Sequence, residues 1–249
     1  MVTYLYCKER GYIMKFFDVS ENCISCVFEE KIAPDINKSM IALSRAIEQA
    51  QIEGVTELVN SYNTLVIYFN DEVTSHDELK KTISELKTAD SKTEKKRTFV
   101  IPVCYDKKYA LDLEELAAAH KLTTEEVIQI HSENEYLVYM LGFMPGFPYL
   151  GGLDERIATP RRSSPRKEIP AGSVGIAANQ TGMYPLQSPG GWNIIGQTPL
   201  KLYDPNREPV VYYEAGDYIK YQPITLGQFD EIKRQVEAGT YEIEVKEAH

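Results

Sequence analysis

Five basic residues, Arg156, Arg161, Arg162, Arg166 and Lys167, fall within a 12-residue run that holds no acid. A guanidinium matches a carboxylate or a phosphate with paired N–H donors, so this run reads as an anion site. A solvated basic loop, or one paired with acids from elsewhere in the fold, fits the same spacing. Around it lie GFMPGFPYLGG (142–152), PRRSSPRKEIPAGSVG (160–175) and QSPGGWNIIGQTP (187–199). The window from Gly142 to Pro199 holds 10 of the 15 Gly and 8 of the 13 Pro, so it is a chain of fixed turns with exposed backbone amides. Phe143, Phe147, Tyr149, Tyr184 and the lone Trp192 are interleaved with those turns. Each could wall a ligand or fill a core. From Ile169 to Leu200 no charged residue occurs in 32 positions, which reads as buried barrel or interface wall. His131 is the histidine best placed for proton chemistry. It falls near the C-terminus of a predicted helix, where the dipole favours the protonated ring, and a structural role is the alternative.

These residues need a scaffold, and the patterning predicts two. Residues 14–88 read as a β-α-β-β-α unit that needs one more strand, the order of a ferredoxin-like α+β sandwich. Its elements are a strand at 24–29, a helix over 35–51 with Ile36, Met40, Leu43 and Ile47 at helical spacing, strands 55–60 and 64–69, and a helix from Ser75. Ser75 and Glu78 form a capping box. The polar run 88–97 reads as a linker. Beyond it, a strand at 98–105 contains Pro102, which predicts an edge or bulge position. Asp112 and Glu115 bracket the start of a short helix ending near His120. Thr123 and Glu126 open another that runs to about His131, and Thr225 and Gln228 open a last one over 226–238. The remainder is β-rich, with a terminal strand at 241–246, and reads as a closed barrel. The predicted domains are therefore 1–96 and 97–249, with the first 13 residues a candidate extension ahead of Met14.

Composition narrows the function classes. The net charge of -10 argues against a nucleic-acid binder. No run of 18 apolar residues predicts a membrane span, and no apolar leader follows Met1. Four Cys without a leader read as free thiols of a cytoplasmic protein. Cys23 and Cys26 are spaced as C-x-x-C, but on a strand that spacing sends them to opposite faces, and no further ligand pair predicts a metal site. A self-contained nucleotide loop and a G-x-S-x-G elbow are both missing from the sequence.

The motifs GFxPGFxYLG, PRxxxPRxxxPAGSV and SPGGWxxIGxTP, in that order, resemble the family of the Kip inhibitor and the 5-oxoprolinase B component, also described as allophanate hydrolase subunit 1. The likeness extends more weakly over about 14–247. It implies an N-terminal ferredoxin-like domain and a C-terminal cyclophilin-like β-barrel. It also implies an ATP-dependent 5-oxoprolinase assembled with the A and C components of that enzyme, which opens the lactam of 5-oxoproline to glutamate. Under that chemistry Arg161, Arg162 and Arg166 would contact an anion, and amides around Gly190 and Gly191 would form an oxyanion pocket beside Gln187 and Trp192. Phe143, Pro145, Phe147, Tyr149 and Tyr184 would line the wall, and His131 would be the acid/base. ATP would be bound together with the partner components. Gln197 departs from the arginine common at that turn in the family. The competing reading from the same family is an inhibitor of sensor histidine kinase autophosphorylation, which would use the barrel as a docking face.

Overall fold

Strand β1 (Val2–Cys7) starts an antiparallel sheet that continues through β2 (Tyr12–Ser20) and β3 (Cys23–Val27). These elements belong to a computed structural model that describes residues 2–7, 12–29, 33–86 and 96–248. Helix α1 (Pro34–Ala50) follows, with Pro34 in its first turn, where a missing N–H costs nothing. Met40, Leu43 and Ile47 are buried along one stripe, as the spacing predicts. Strands β4 (Val55–Asn60) and β5 (Thr64–Phe69) and helix α2 (His76–Glu85) complete the unit. The Ser75–Glu78 box is formed, and Leu79 and Ile83 are apolar residues that α2 turns inward.

The sheet order is β1-β2-β3-β5-β4. A ferredoxin-like sandwich built on β3-α1-β4-β5-α2 lacks its fourth strand on the C-terminal side. Here β2 supplies it from the N-terminal side, next to β3. Strand β1 and the start of β2 lie within the 13 residues expected as an extension. Cys23 and Cys26 are buried free thiols, and burial pushes both of them up, away from the reactive thiolate.

The chain divides into Met1–Glu94 and Lys95–His249, two residues before the expected boundary. Most of the expected linker lies outside the described residues, but its last two residues belong to strand β6 (Lys96–Cys104). Arg97 shows why: its Nε and Nη2 donate to the two carboxylate oxygens of Asp217 at 2.8 Å each. Helices α3 (Leu113–Ala119) and α4 (Thr124–Glu133) come next, then strands β7 (Glu135–Leu141) and β8 (Pro148–Gly151). The motif region supplies β9 (Arg166–Ile169), β10 (Ser173–Ala177), β11 (Gln180–Met183), β12 (Ser188–Gly190) and β13 (Asn193–Gln197). Strand β14 (Tyr218–Ile224), helix α5 (Leu226–Glu237) and strand β15 (Val245–Ala248) follow.

Seven of these strands close a barrel in the order β13-β10-β11-β8-β7-β14-β6, and β13 returns to β6 where Gln197 pairs with Cys104. Strands β9 and β12 stand apart from it as a two-stranded ribbon. The barrel fill includes Tyr136, Val138, Leu150, Ile176 and Tyr221, all buried. Each such aliphatic side chain contributes about 1.5–3 kcal/mol by leaving water. Pro102 does not mark an edge, contrary to expectation. Strand β6 is paired with β14 along its length, and Pro102 falls between the pairs that β15 makes up to Phe99 and β13 makes at Cys104. Its missing N–H thus meets a gap in the ladder. Among the described residues no helix is long and apolar enough to cross a membrane.

Candidate functional site

The barrel brings the three Gly/Pro motifs onto one region. Strand β12 pairs with β9, setting Gly190 opposite Arg166 and Ser188 opposite Ile169. The Arg162 N–H donates to Gly191 O at 2.8 Å, so the SPGGW turn lies beside the arginine loop. Strand β10, which begins at the Ser173-Val174 end of PAGSV, pairs with both β11 and β13. Gly172 is left-handed at φ 82, and a Cβ there would stand 2.4 Å from Thr198 O, so the PAG and GQTP turns touch backbone to backbone. Asn193 ties the start of the arginine loop down, its Nδ2 donating to Pro160 O at 2.9 Å.

The aromatic residues form a nest around Phe147. Its ring meets Tyr149, Tyr184 and Trp192 edge-on at centroid distances of 5.3, 5.5 and 5.5 Å. Phe147, Tyr184 and Trp192 are buried, so their first duty is packing, while Tyr149 is half-buried. Phe143 and Pro145 are exposed; Phe143 is 68% accessible and adopts a left-handed φ of 66. The Tyr184 ring also meets Trp192 edge-on at 6.4 Å. Burial pushes the Tyr184 phenol up to about 12, and the nearby Arg161 charge pulls the other way. Gly190 lies under the same hydroxyl: a Cβ there would come within 2.4 Å of it. Gln187 is exposed at the ribbon, and Gly190 and Gly191 are partly exposed. Gln197 donates through Nε2 to Ala171 O at 2.7 Å, so it fastens two turns where an arginine would bring charge.

The basic run is split by its partners. Arg162 and Arg166 both bind Asp112, whose side chain is 3% exposed. Arg162 Nη1 donates to Oδ1 at 2.6 Å, and Arg166 donates through Nη1 to Oδ2 at 2.8 Å and through Nη2 to Oδ1 at 2.7 Å. The carboxylate holds the Arg166 guanidinium above its ordinary value. Arg156 makes a surface pair with Asp154. Among the described residues Arg161 and Lys167 make no ion pair, and both are exposed. Pairing with local acids therefore accounts for two of the three arginines expected to hold an anion. Arg161 is the one left to offer its charge outward.

Asp112 was not legible as a site residue. An Asp before a helix reads as an N-cap, yet its side chain makes no cap bond to α3. Its Oδ2 instead accepts from the Ile194 N–H at 2.6 Å, and its own N–H donates to Ile194 O at 2.8 Å.

His131 corrects the expectation of an acid/base. It is completely buried. The Thr181 hydroxyl donates to Gly175 O at 3.1 Å, so Thr181 Oγ1 accepts from His131 Nε2–H at 2.8 Å. Nδ1 then accepts from Tyr105 Oη at 2.8 Å. The ring stacks on Tyr221 at 4.5 Å. Both nitrogens are occupied, and burial pulls the ring down to about 3, outweighing the helix dipole. His131 is a neutral core histidine that joins α4 to β11.

A groove of about 760 Å³ runs along α5, bordered by Gln197, Thr198, Lys201, Phe229 and Lys233. It touches the motif region at Ala171 and Gln197 and leaves the arginine ribbon outside.

Residues 14–213 match the family described as carboxyltransferase domain, subdomain C and D. That match takes in the ribbon and six of the seven barrel strands. The B subunit of 5-oxoprolinase from Bacillus subtilis (strain 168) is 41% identical over 220 residues, spanning 84% of this chain and 92% of that protein. Its counterpart of the same name from Haemophilus influenzae is 39% identical over 211 residues, spanning 84% and 97%. The chain belongs to the family of 5-oxoprolinase B components. Among solved structures, TTHA0988 superposes with a TM-score of 0.75 at 32% identity over 82% of this chain, which spans 40% of that longer one. The Kluyveromyces lactis urea amidolyase superposes over 99% of this chain and 17% of its own length, with a TM-score of 0.78; at 19% identity that likeness speaks for the fold alone.

Proposed function

We propose that this chain is the B component of an ATP-dependent 5-oxoprolinase, which opens the lactam of 5-oxoproline to glutamate together with the A and C components. The observation that carries the reading is the near full-length likeness to two proteins of that name, 41% and 39% identical. The motif residues behind the family likeness also converge on one region of the barrel, where the ribbon sets Gly190 opposite Arg166.

In this reading Arg161 contacts the anion. The carboxylate of 5-oxoproline is one such anion, and a planar guanidinium with no competing acid meets it with two donors. Arg162 and Arg166 supply positive potential behind it while remaining bound to Asp112. The buried nest of Phe147, Tyr184 and Trp192 keeps that face rigid and excludes water from beneath it.

The donors here do not fit a triphosphate held by this chain by itself. Such a group needs several free cations or a run of open amides on one face. Of the five basic residues between 156 and 167, three are engaged by carboxylates. In this proposal the nucleotide is therefore held with the partner components, and ATP would activate the lactam oxygen there. A cytoplasmic setting accompanies the reading, in keeping with the free Cys23, Cys26 and Cys104.

Co-expression of the tagged chain with the A and C components tests the proposal. Copurification of all three, with ATP-dependent glutamate release from 5-oxoproline, is expected. A chain that copurifies with neither partner overturns it.

A further inference from the structure

We infer that Asp112 is the positioning residue of the arginine face, the buried carboxylate that fixes Arg162 and Arg166 so that Arg161 is the one of the three arginines presented to a carboxylate- or phosphate-bearing ligand. This inference rests on the proposal that the arginine face meets an anion.

Four hydrogen bonds saturate Asp112, two on each oxygen. Oδ1 accepts from Arg162 Nη1 and Arg166 Nη2, and Oδ2 accepts from Arg166 Nη1 and the Ile194 N–H. The two arginines lie 50 and 54 residues further along the chain, and Ile194 lies 82 further. One carboxylate thus pins the start of α3, the arginine loop and β13 to a common point. Asp is a favoured N-cap, and here the carboxylate forgoes that local bond for three remote partners. Glu115 approaches Arg162 only at 3.5 Å from a largely solvated side chain, so it cannot replace the clamp.

Geometry and charge both follow from this arrangement. Arg166 is held by a two-pronged grip that fixes the plane of its guanidinium. Arg162 is anchored by its head to Asp112 and by its backbone N–H to Gly191 O. Arg161, between Pro160 and Arg162, is therefore carried on a backbone tethered on both sides, because Pro160 O accepts from Asn193 Nδ2. Two guanidiniums share the one buried carboxylate, Glu115 reaches Arg162 only from solvent at 3.5 Å, and Arg161 and Lys167 make no ion pair among the described residues, so the face stays net positive. A buried carboxylate that neutralised the loop completely would have removed that field.

The test uses the assembled three-component enzyme with 5-oxoproline and ATP as probes. Asp112→Asn keeps the shape and removes the charge. It is expected to raise KM for 5-oxoproline about tenfold while kcat stays within about threefold, since the loosened loop weakens binding more than chemistry. Trypsin cleavage after Arg161, Arg162 or Arg166 in the isolated chain should quicken as well. Should Asp112→Asn not fold, Arg166→Gln, which leaves Arg162 on the carboxylate, is expected to shift KM in the same direction by about threefold or more. Arg161→Ala separates the two ideas. If Arg161→Ala raises KM but folded Asp112→Asn leaves KM and cleavage unchanged, the positioning role is overturned and the anion face stands. If Arg161→Ala leaves KM unchanged, the anion face itself falls, and this inference falls with it. Failure of both clamp variants to fold makes Asp112 a folding residue and also overturns the inference.

Discussion

Arg166 grips Asp112 with two parallel hydrogen bonds, Nη1 to Oδ2 at 2.8 Å and Nη2 to Oδ1 at 2.7 Å. A lysine at 166 keeps the charge and cannot form the fork. Arg166→Lys is expected to cost about 1–3 kcal/mol, because a buried carboxylate oxygen loses a donor. Urea unfolding of the isolated chain checks it. An unchanged midpoint would mean that the pair contributes nothing beyond charge.

Gly190 packs against Tyr184 and against Ile169 of the neighbouring motif. A Cβ at 190 would lie 2.4 Å from Tyr184 Oη and 2.7 Å from Ile169 Cδ1. Gly190→Ala should therefore destabilise by about 1–3 kcal/mol through overpacking. Adding Tyr184→Phe removes the nearer of the two atoms and should recover part of the loss. A double-mutant cycle reads the coupling, and strictly additive effects would contradict the contact.

His131 predicts an acid-sensitive core. Burial lowers its pKa from 6.5 to about 3, so the unfolded chain binds a proton in that interval and the folded chain does not. Stability is therefore complete above pH 6.5 and declines as pH falls from there toward 3. The slope approaches about 1.4 kcal/mol per pH unit for this one group. His131→Gln cannot titrate; it should be less stable near neutral pH and show a shallower loss as pH falls below 6.5. Denaturant midpoints across that range decide it, and parallel curves for the two proteins would contradict a buried neutral ring.

Local chemistry was legible in the sequence, and long-range pairing was not. The capping boxes at Ser75, Thr123 and Thr225 all form, because a box needs only four consecutive residues. Strands 55–60 and 64–69 were legible from alternation and the turn between them. The Gln197–Cys104 closure of the barrel has no local signature, so Pro102 read as an edge or bulge residue. The N-terminal strand that completes the first sheet was missed because nothing in its pattern announces which neighbour it joins. In the candidate site, residue types pointed to the basic loop and could not sort its arginines. That sorting depends on Asp112, which reaches the loop from a helix start far away in the sequence. His131 shows the same limit: its helix position was readable, whereas the burial that sets its protonation belongs to the packed barrel.

The central claim is tested most directly by leaving this chain out of a reconstituted mixture of the three 5-oxoprolinase components with 5-oxoproline and ATP. Glutamate is expected when the chain is present and only background when it is omitted. Equal glutamate release in its absence would contradict the account.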